Sequence, residues 1–156
     1  MAWDAAEVEE FVRASSGGEG ETALCGLVTD LPWAELEAVL LMRREVPADL
    51  SAKELVGRIA SLLGSSRAAA AGALGISPSR LYRNNRVSVA MLDRVQALCW
   101  QWFYVCRVVG AEGAGSWFQD SNPGLDGARP LDLLETGYGQ RLVHDLIWSL
   151  LYGGIV

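Results

Sequence analysis

The stretch from Ser88 to Val109 constrains the fold more than any other part of the chain. Met91, Leu92, Val95, Leu98, Trp102, Val105 and Val109 recur at helical spacing, and Cys99, Trp100, Phe103 and Tyr104 widen that stripe almost all the way round. Ser88 is a good helix N-cap and Gly110 a good stop, so the pattern predicts one helix of about twenty residues. A helix this apolar cannot lie on a surface. It belongs in the centre of a bundle or in an interface between subunits. No β-type alternation extends beyond four residues and no internal repeat is present, so the expected class is all-α.

Local signals place shorter helices around it. Phe11 shares a helical stripe with Trp3, Val8 and Val12, and Ser15-Ser16-Gly17-Gly18-Glu19-Gly20 reads as a flexible linker. Asp30 is expected to cap a helix over Pro32–Arg44 that buries Leu36, Val39 and Leu40. Ser51-Ala52-Lys53-Glu54 has the order of a capping box, and the helix it opens carries Leu55, Ile59, Leu62 and Leu63 before Gly64 stops it.

Next, Ser66 is expected to cap a short helix over Arg67–Leu74. Gly75-Ile76 turns the chain, and Ser77 with Pro78 opens a second short helix to Asn85. These are helix-turn-helix proportions. The second helix presents Ser79, Arg80, Tyr82, Arg83, Asn84 and Arg86, with Ser77 at its cap and Leu81 facing inward. Arginine forks suit phosphate or guanine and asparagine suits adenine, so these seven polar positions are the candidate DNA-binding residues.

Charge supports that placement in part. The formal net charge is −6, which by itself disfavours nucleic acid. Residues 67–94, however, hold five arginines (Arg67, Arg80, Arg83, Arg86 and Arg94) against one acid, Asp93. A basic island between acidic flanks can still form a local phosphate-binding face. The three cysteines, without framework spacing, read as reduced thiols in a cytoplasmic protein. No apolar run reaches the roughly 18 residues that span a bilayer, so no membrane association is expected. The acidic start, Met1-Ala2-Trp3-Asp4, is not that of a signal peptide.

Beyond Gly110 the sequence predicts a short helix over Glu112–Gln119 and a double turn at Asn122-Pro123-Gly124-Leu125-Asp126-Gly127, with both glycines free to take positive φ. A short helix follows over Leu131–Leu134, started by Pro130. The last helix is capped by Thr136, with Leu142, Val143, Leu146, Ile147, Leu150 and Leu151 on one stripe. Gly153-Gly154 ends it and Ile155-Val156 follow as an apolar tail.

Little here suits catalysis. His144 is the one histidine, and Asp145 beside it is not placed for a dyad along a helix. Cys99 and Cys106 stand on one helix about 10 Å apart, too far for one zinc, and Cys25 is remote in sequence. No phosphate-binding glycine loop is present. No enzyme activity, metal or cofactor is therefore expected.

The C-terminal order carries a resemblance. The pattern Trp117-Phe118, Asn122-Pro123, Leu125, Gly127, Pro130-Leu131-Asp132-Leu133-Leu134, Thr136, Gly139, Val143, Leu146-Ile147 and Tyr152-Gly153 resembles the C-terminal toxin-binding domain of the Xre/ParS/MbcA-type antitoxins. Upstream, Leu74-Gly75-Ile76-Ser77, Leu81-Tyr82-Arg83 and Leu92-Asp93-Arg94 are similar to that family's Xre-type helix-turn-helix half, and the resemblance covers roughly residues 36–156. It implies a helix-turn-helix domain over 49–110 and a toxin-binding domain over 111–156; the residues themselves point to a helical N-terminal extension over 1–48 and make the long apolar helix the candidate for dimerisation.

It also implies a type II antitoxin. The partner would be a RES-domain toxin that consumes NAD or transfers its ADP-ribose. The antitoxin would occlude the toxin's NAD site with its last helix and tail, and would also bind its own operator as a homodimer. Carried onto this chain, the toxin-binding residues are Arg141, His144, Asp145, Trp148, Tyr152, Gly153, Ile155 and Val156. The tail would fill an apolar pocket and its carboxylate would meet a toxin arginine. The competing reading is a helix-turn-helix transcriptional regulator whose C-terminal domain only oligomerises.

Overall fold

The computed structural model describes residues 6–7, 10–11 and 20–153. The expected positions Trp3, Val8 and Val12, the linker over 15–19, and Gly154, Ile155 and Val156 of the tail lie outside the described residues. Ala6, Glu7, Glu10 and Phe11 are helical. From Gly20 on, nine helices follow: α1 Gly20–Thr29, α2 Trp33–Leu40, α3 Ala52–Leu63, α4 Arg67–Ala73, α5 Pro78–Arg83, α6 Val89–Val109, α7 Ala111–Gln119, α8 Pro130–Leu133 and α9 Gly137–Leu151. A 3-10 turn over Pro123–Leu125 separates α7 from α8, and the described residues contain no strand.

α6 is the central helix. Met91, Leu92, Val95, Leu98, Cys99, Gln101, Trp102, Phe103, Val105 and Cys106 are all buried in it, and α1, α2, α7 and α9 pack against it. The Trp102 indole N–H donates to the Leu62 carbonyl at 3.2 Å, which fixes α3 to the same axis. Buried side chains form one continuous cluster from Leu24 to Ile147, so the three sequence segments share a core. Trp102 and Val105, expected at a subunit interface if α6 dimerised, are each 1% exposed inside the chain's own core. Val109 was expected on the buried stripe, but it is exposed, because Gly110 at φ 84° turns the chain away into α7.

The serine and threonine caps form as the sequence predicts. Ser51, Ser66, Ser77, Ser88 and Thr136 each accept a hydrogen bond from the backbone N–H three residues on, at 3.0–3.2 Å. Gly64 closes α3 at φ 60°.

Several expectations are corrected. Gly20 is no linker residue. It begins α1, which buries Leu24, Cys25 and Val28 against α6. Asp30 is not a cap: it adopts φ 58° and pairs with Arg58 at 2.7 Å, while α2 starts after Pro32 without a side-chain cap. α2 ends at Leu40 rather than Arg44, because Met42 takes φ 58° and the Arg43 N–H closes back on the Ala38 carbonyl at 2.8 Å. In the double turn it is Asp126 (φ 54°) and Gly127 (φ 84°) that adopt positive φ, not Gly124. The Asn122 side chain instead accepts the Gly124 N–H at 2.9 Å.

The C-terminal helix sits close to its neighbours through Gly139. A β-carbon there would overlap the carbonyl of Leu133, at the end of α8. Gly139, Val143 and Ile147 form the buried face of α9, whereas Leu142 and Leu150, expected on the same stripe, are exposed. The contact with α6 is narrower than the apolar arc of the sequence. We expect Gly139→Ala to lower the stability of the chain by about 3 kcal/mol in urea titrations, because backbone must move to accept the methyl group. Gly137→Ala, where a β-carbon would have nothing within 4 Å, should change stability by no more than about 1 kcal/mol.

Candidate protein-interaction site

α9 carries two faces. The inner one is Gly139, Val143 and Ile147. The outer one gathers residues three and four apart: Tyr138, Arg141, Asp145, Trp148 and Tyr152, all exposed. Tyr152 is 71% exposed and Trp148 38%, and their rings lie 4.6 Å apart across one helical turn. His144 packs edge-on against Trp148 with ring centres 5.9 Å apart, and Arg141 lies over the Tyr138 ring at 5.7 Å. Gly153 follows at φ 86°, and the Tyr152 N–H still bonds the Trp148 carbonyl at 3.0 Å, so the helix holds its geometry to the end of the aromatic row.

The structure thus brings Arg141, His144, Asp145, Trp148, Tyr152 and Gly153 together on one end of the bundle, while Ile155 and Val156 lie outside the described residues. Contrary to the sequence expectation, His144 and Asp145 do meet, with Nδ1 and Oδ1 3.4 Å apart. Both side chains are exposed, at 47% and 75%, so this is a solvated contact without a buried base. No group of three or more His, Cys, Asp or Glu among the described residues could hold a metal ion.

Sequence reasoning missed the part of the aromatic row that comes from α6. Trp100 meets Tyr104 edge-on at 5.8 Å, and Tyr104 meets Trp148 at 6.0 Å. The Tyr104 hydroxyl donates to Glu21 of α1 at 3.1 Å, and burial together with that carboxylate raises its pKa, so the ring stays neutral. The i, i+4 spacing of Trp100 and Tyr104 was visible, but all-round apolarity hid which side they face. Tyr138 was also missed, although its spacing from Arg141 is that of a stacked helical pair.

The second candidate surface is the tip formed by α4, the turn at Gly75 (φ 73°) and α5. Ser77, Ser79, Arg80, Tyr82, Arg83, Asn84 and Arg86 are all exposed there, Tyr82 at 84%, and Leu81 is half-buried against the core. Among the described residues, Arg80, Arg83 and Arg86 have no acidic partner.

Two arginines of the basic island bond the backbone of other elements. Arg67 donates to the Lys53 carbonyl at 2.8 Å, and Arg94 donates to the carbonyls of Leu134 and Glu135 at 3.0 and 3.3 Å. Both serve to join elements. α5 also ends at Arg83 instead of Asn85, because Asn84 bonds locally and Asn85 bonds the start of α3. Asn84 Oδ1 accepts the Arg86 N–H at 2.9 Å, which leaves its second lone pair and its amide N–H groups for other partners. Asn85 Oδ1 accepts from the Ser51 hydroxyl and the Lys53 N–H, tying the tip to the start of α3.

No helix among the described residues is long and apolar enough to cross a membrane. Comparison with curated proteins and with solved structures gives no match. Residues 107–153, from the last turn of α6 through α7, the 3-10 turn, α8 and α9, match the family model of the antitoxin Xre/MbcA/ParS C-terminal toxin-binding domain, whose description implies a toxin as partner.

Proposed function

We propose that this chain is the antitoxin of a type II toxin–antitoxin pair. It neutralises a RES-domain toxin, which consumes NAD or transfers its ADP-ribose, by laying the outer face of α9 and the residues after it over the toxin's NAD cleft. The observation that carries this reading is the exposed aromatic row of Trp148 and Tyr152 inside the segment that matches the toxin-binding domain. Monomeric proteins rarely leave neighbouring large aromatics in water unless a partner covers them. Trp and Tyr are the side chains that most often dominate interface energetics, and a capped helix presents them with little entropy left to lose. The net charge of −6 steers the chain toward a basic cleft built for pyrophosphate.

The exposed arginines Arg80, Arg83 and Arg86, which have no acidic partner among the described residues, support a second property of the same protein, binding to its own operator as a cytoplasmic homodimer. The competing regulator reading keeps this property but leaves the α9 face without a toxin to meet.

A purified RES-domain toxin is the probe that tests the inhibitor reading. Tyr152→Ala and Trp148→Ala should each weaken its binding by about 2 kcal/mol, roughly thirtyfold, and release NAD consumption at matched concentrations. The thermal midpoint of Tyr152→Ala should stay near that of the parent chain, because the ring is mostly in solvent. Unchanged affinity in both variants defeats the proposal.

For the operator, the double variant Arg80→Ala with Arg83→Ala should weaken binding and reduce the salt slope by about two, while toxin binding is unaffected. A mobility-shift titration at several salt concentrations that cannot tell it from the parent removes this tip as the DNA face.

A further inference from the structure

Between α6 and α9 lies a groove of about 210 Å³, walled by Ala97, Trp100, Tyr104, His144, Ile147 and Trp148. Gln101 also lines it and is 5% exposed. Its Nε2 reaches the Gln140 carbonyl at 3.4 Å, but its Oε1 is buried with no hydrogen-bond partner among the described residues. The neighbouring Trp100 Nε1 is buried and unpartnered in the same way. Buried polar atoms without partners are rare because each destabilises the folded chain, so a pair on adjacent residues of the central helix needs a reason. A leucine at position 101 would pack there without that cost.

We propose that this groove receives one apolar side chain of the toxin together with the peptide unit beside it. The peptide N–H meets Gln101 Oε1, and the peptide carbonyl meets Trp100 Nε1. This inference rests on the antitoxin reading and extends its contact surface onto α6, upstream of the segment that matches the toxin-binding domain.

Three observations select this occupant. Gln101 Oε1 is an acceptor and Trp100 Nε1 a donor, the two kinds of group that a peptide unit can satisfy, and both are closed to solvent in the free chain, so the peptide meets them only as these side chains turn toward it. The cavity is smaller than the roughly 300–1,000 Å³ of small-molecule sites, so it suits a single large side chain better than a cofactor-sized ligand. The groove is also continuous with the aromatic row through the Trp100–Tyr104 and Tyr104–Trp148 contacts, so a protein seated on Trp148 and Tyr152 also lies against its mouth. The terminal torsion of a glutamine is soft, which lets the Gln101 oxygen turn to an incoming N–H.

Two variants of the full chain test the groove against the same purified RES-domain toxin, with calorimetric titration for affinity and thermal melting for stability. Ala97 is half-buried in the groove wall, and Ala97→Trp should fill the space, weakening toxin binding at least tenfold with little change in the melting midpoint. Gln101→Leu should raise the melting midpoint and weaken binding about tenfold, a combination that a purely structural glutamine does not produce. If Gln101→Leu fails to fold, Ala97→Trp decides alone. Parent-like affinity in the folded groove variants, with Tyr152→Ala impaired, overturns the groove assignment and leaves the antitoxin reading standing. Failure of the parent chain to bind the RES-domain protein overturns both. Loss of self-association in Ala97→Trp, measured by sedimentation with toxin affinity retained, assigns the groove to a second copy of this chain and overturns the proposal.

Discussion

Covering α6 is the constraint on which the other helices depend. Its ten buried residues point in every direction, so no single partner helix can shield them. Burying each large apolar side chain contributes on the order of 1.5–3 kcal/mol, and Trp102, Phe103, Leu92 and Cys99 are all but fully removed from water. That gain is available only if α1, α2, α7 and α9 surround the axis together. Segments far apart in sequence are therefore tied to one another through it. Cys25 of α1 ends up beside Cys99, which raises the Cys99 thiol pKa through the thiol–thiol hydrogen bond and burial, although nothing in their spacing predicted the meeting.

The same axis carries the two candidate functional surfaces. Near its N-terminal end, Arg94 lies against Gly75 in the turn between α4 and α5 and donates to the carbonyls that join α8 to α9. Glu135 lies against Gly72 of α4 at the same joint. The arginine tip and the aromatic face are thus fastened to one scaffold by specific polar contacts. The arginines that do the fastening, Arg67 and Arg94, each have part of the guanidinium held by a backbone carbonyl of another element. Charge counted along the sequence does not separate these two arginines from Arg80, Arg83 and Arg86.

What could be read in the sequence was chemistry that acts over three or four residues. The caps at Ser51, Ser66, Ser77, Ser88 and Thr136 satisfy N–H groups within one turn, so their signal does not depend on the rest of the fold. The long helix was equally plain, because its apolarity is a property of the segment itself. α1 was hidden because Gly20 and Gly26 break its pattern, and Gly26 is explained only by the Leu31 carbonyl, 3.3 Å from where a β-carbon would stand. Asp30 had the right identity for a cap, but Arg58, from another helix, claims its carboxylate. The groove of Trp100, Gln101 and Tyr104 was invisible because it exists only where two helices meet.

The width of the inner face of α9 explains why its outer face is left free. The sequence offers a broad apolar arc, and if all of it were needed to hold the helix, nothing would remain to present. Gly139 changes that requirement. With no β-carbon, it lets the first turn of α9 rest against the backbone at the end of α8, and the Thr136 cap holds the same turn. Val143 and Ile147 then suffice to seal the contact with α6. Trp148, which rests one side on Tyr104, and Tyr152 sit among Arg141, His144 and Asp145, whose polar groups keep that face compatible with water. The absence of one methyl group at a tight joint is what allows two large aromatic rings to remain exposed at the other end of the helix.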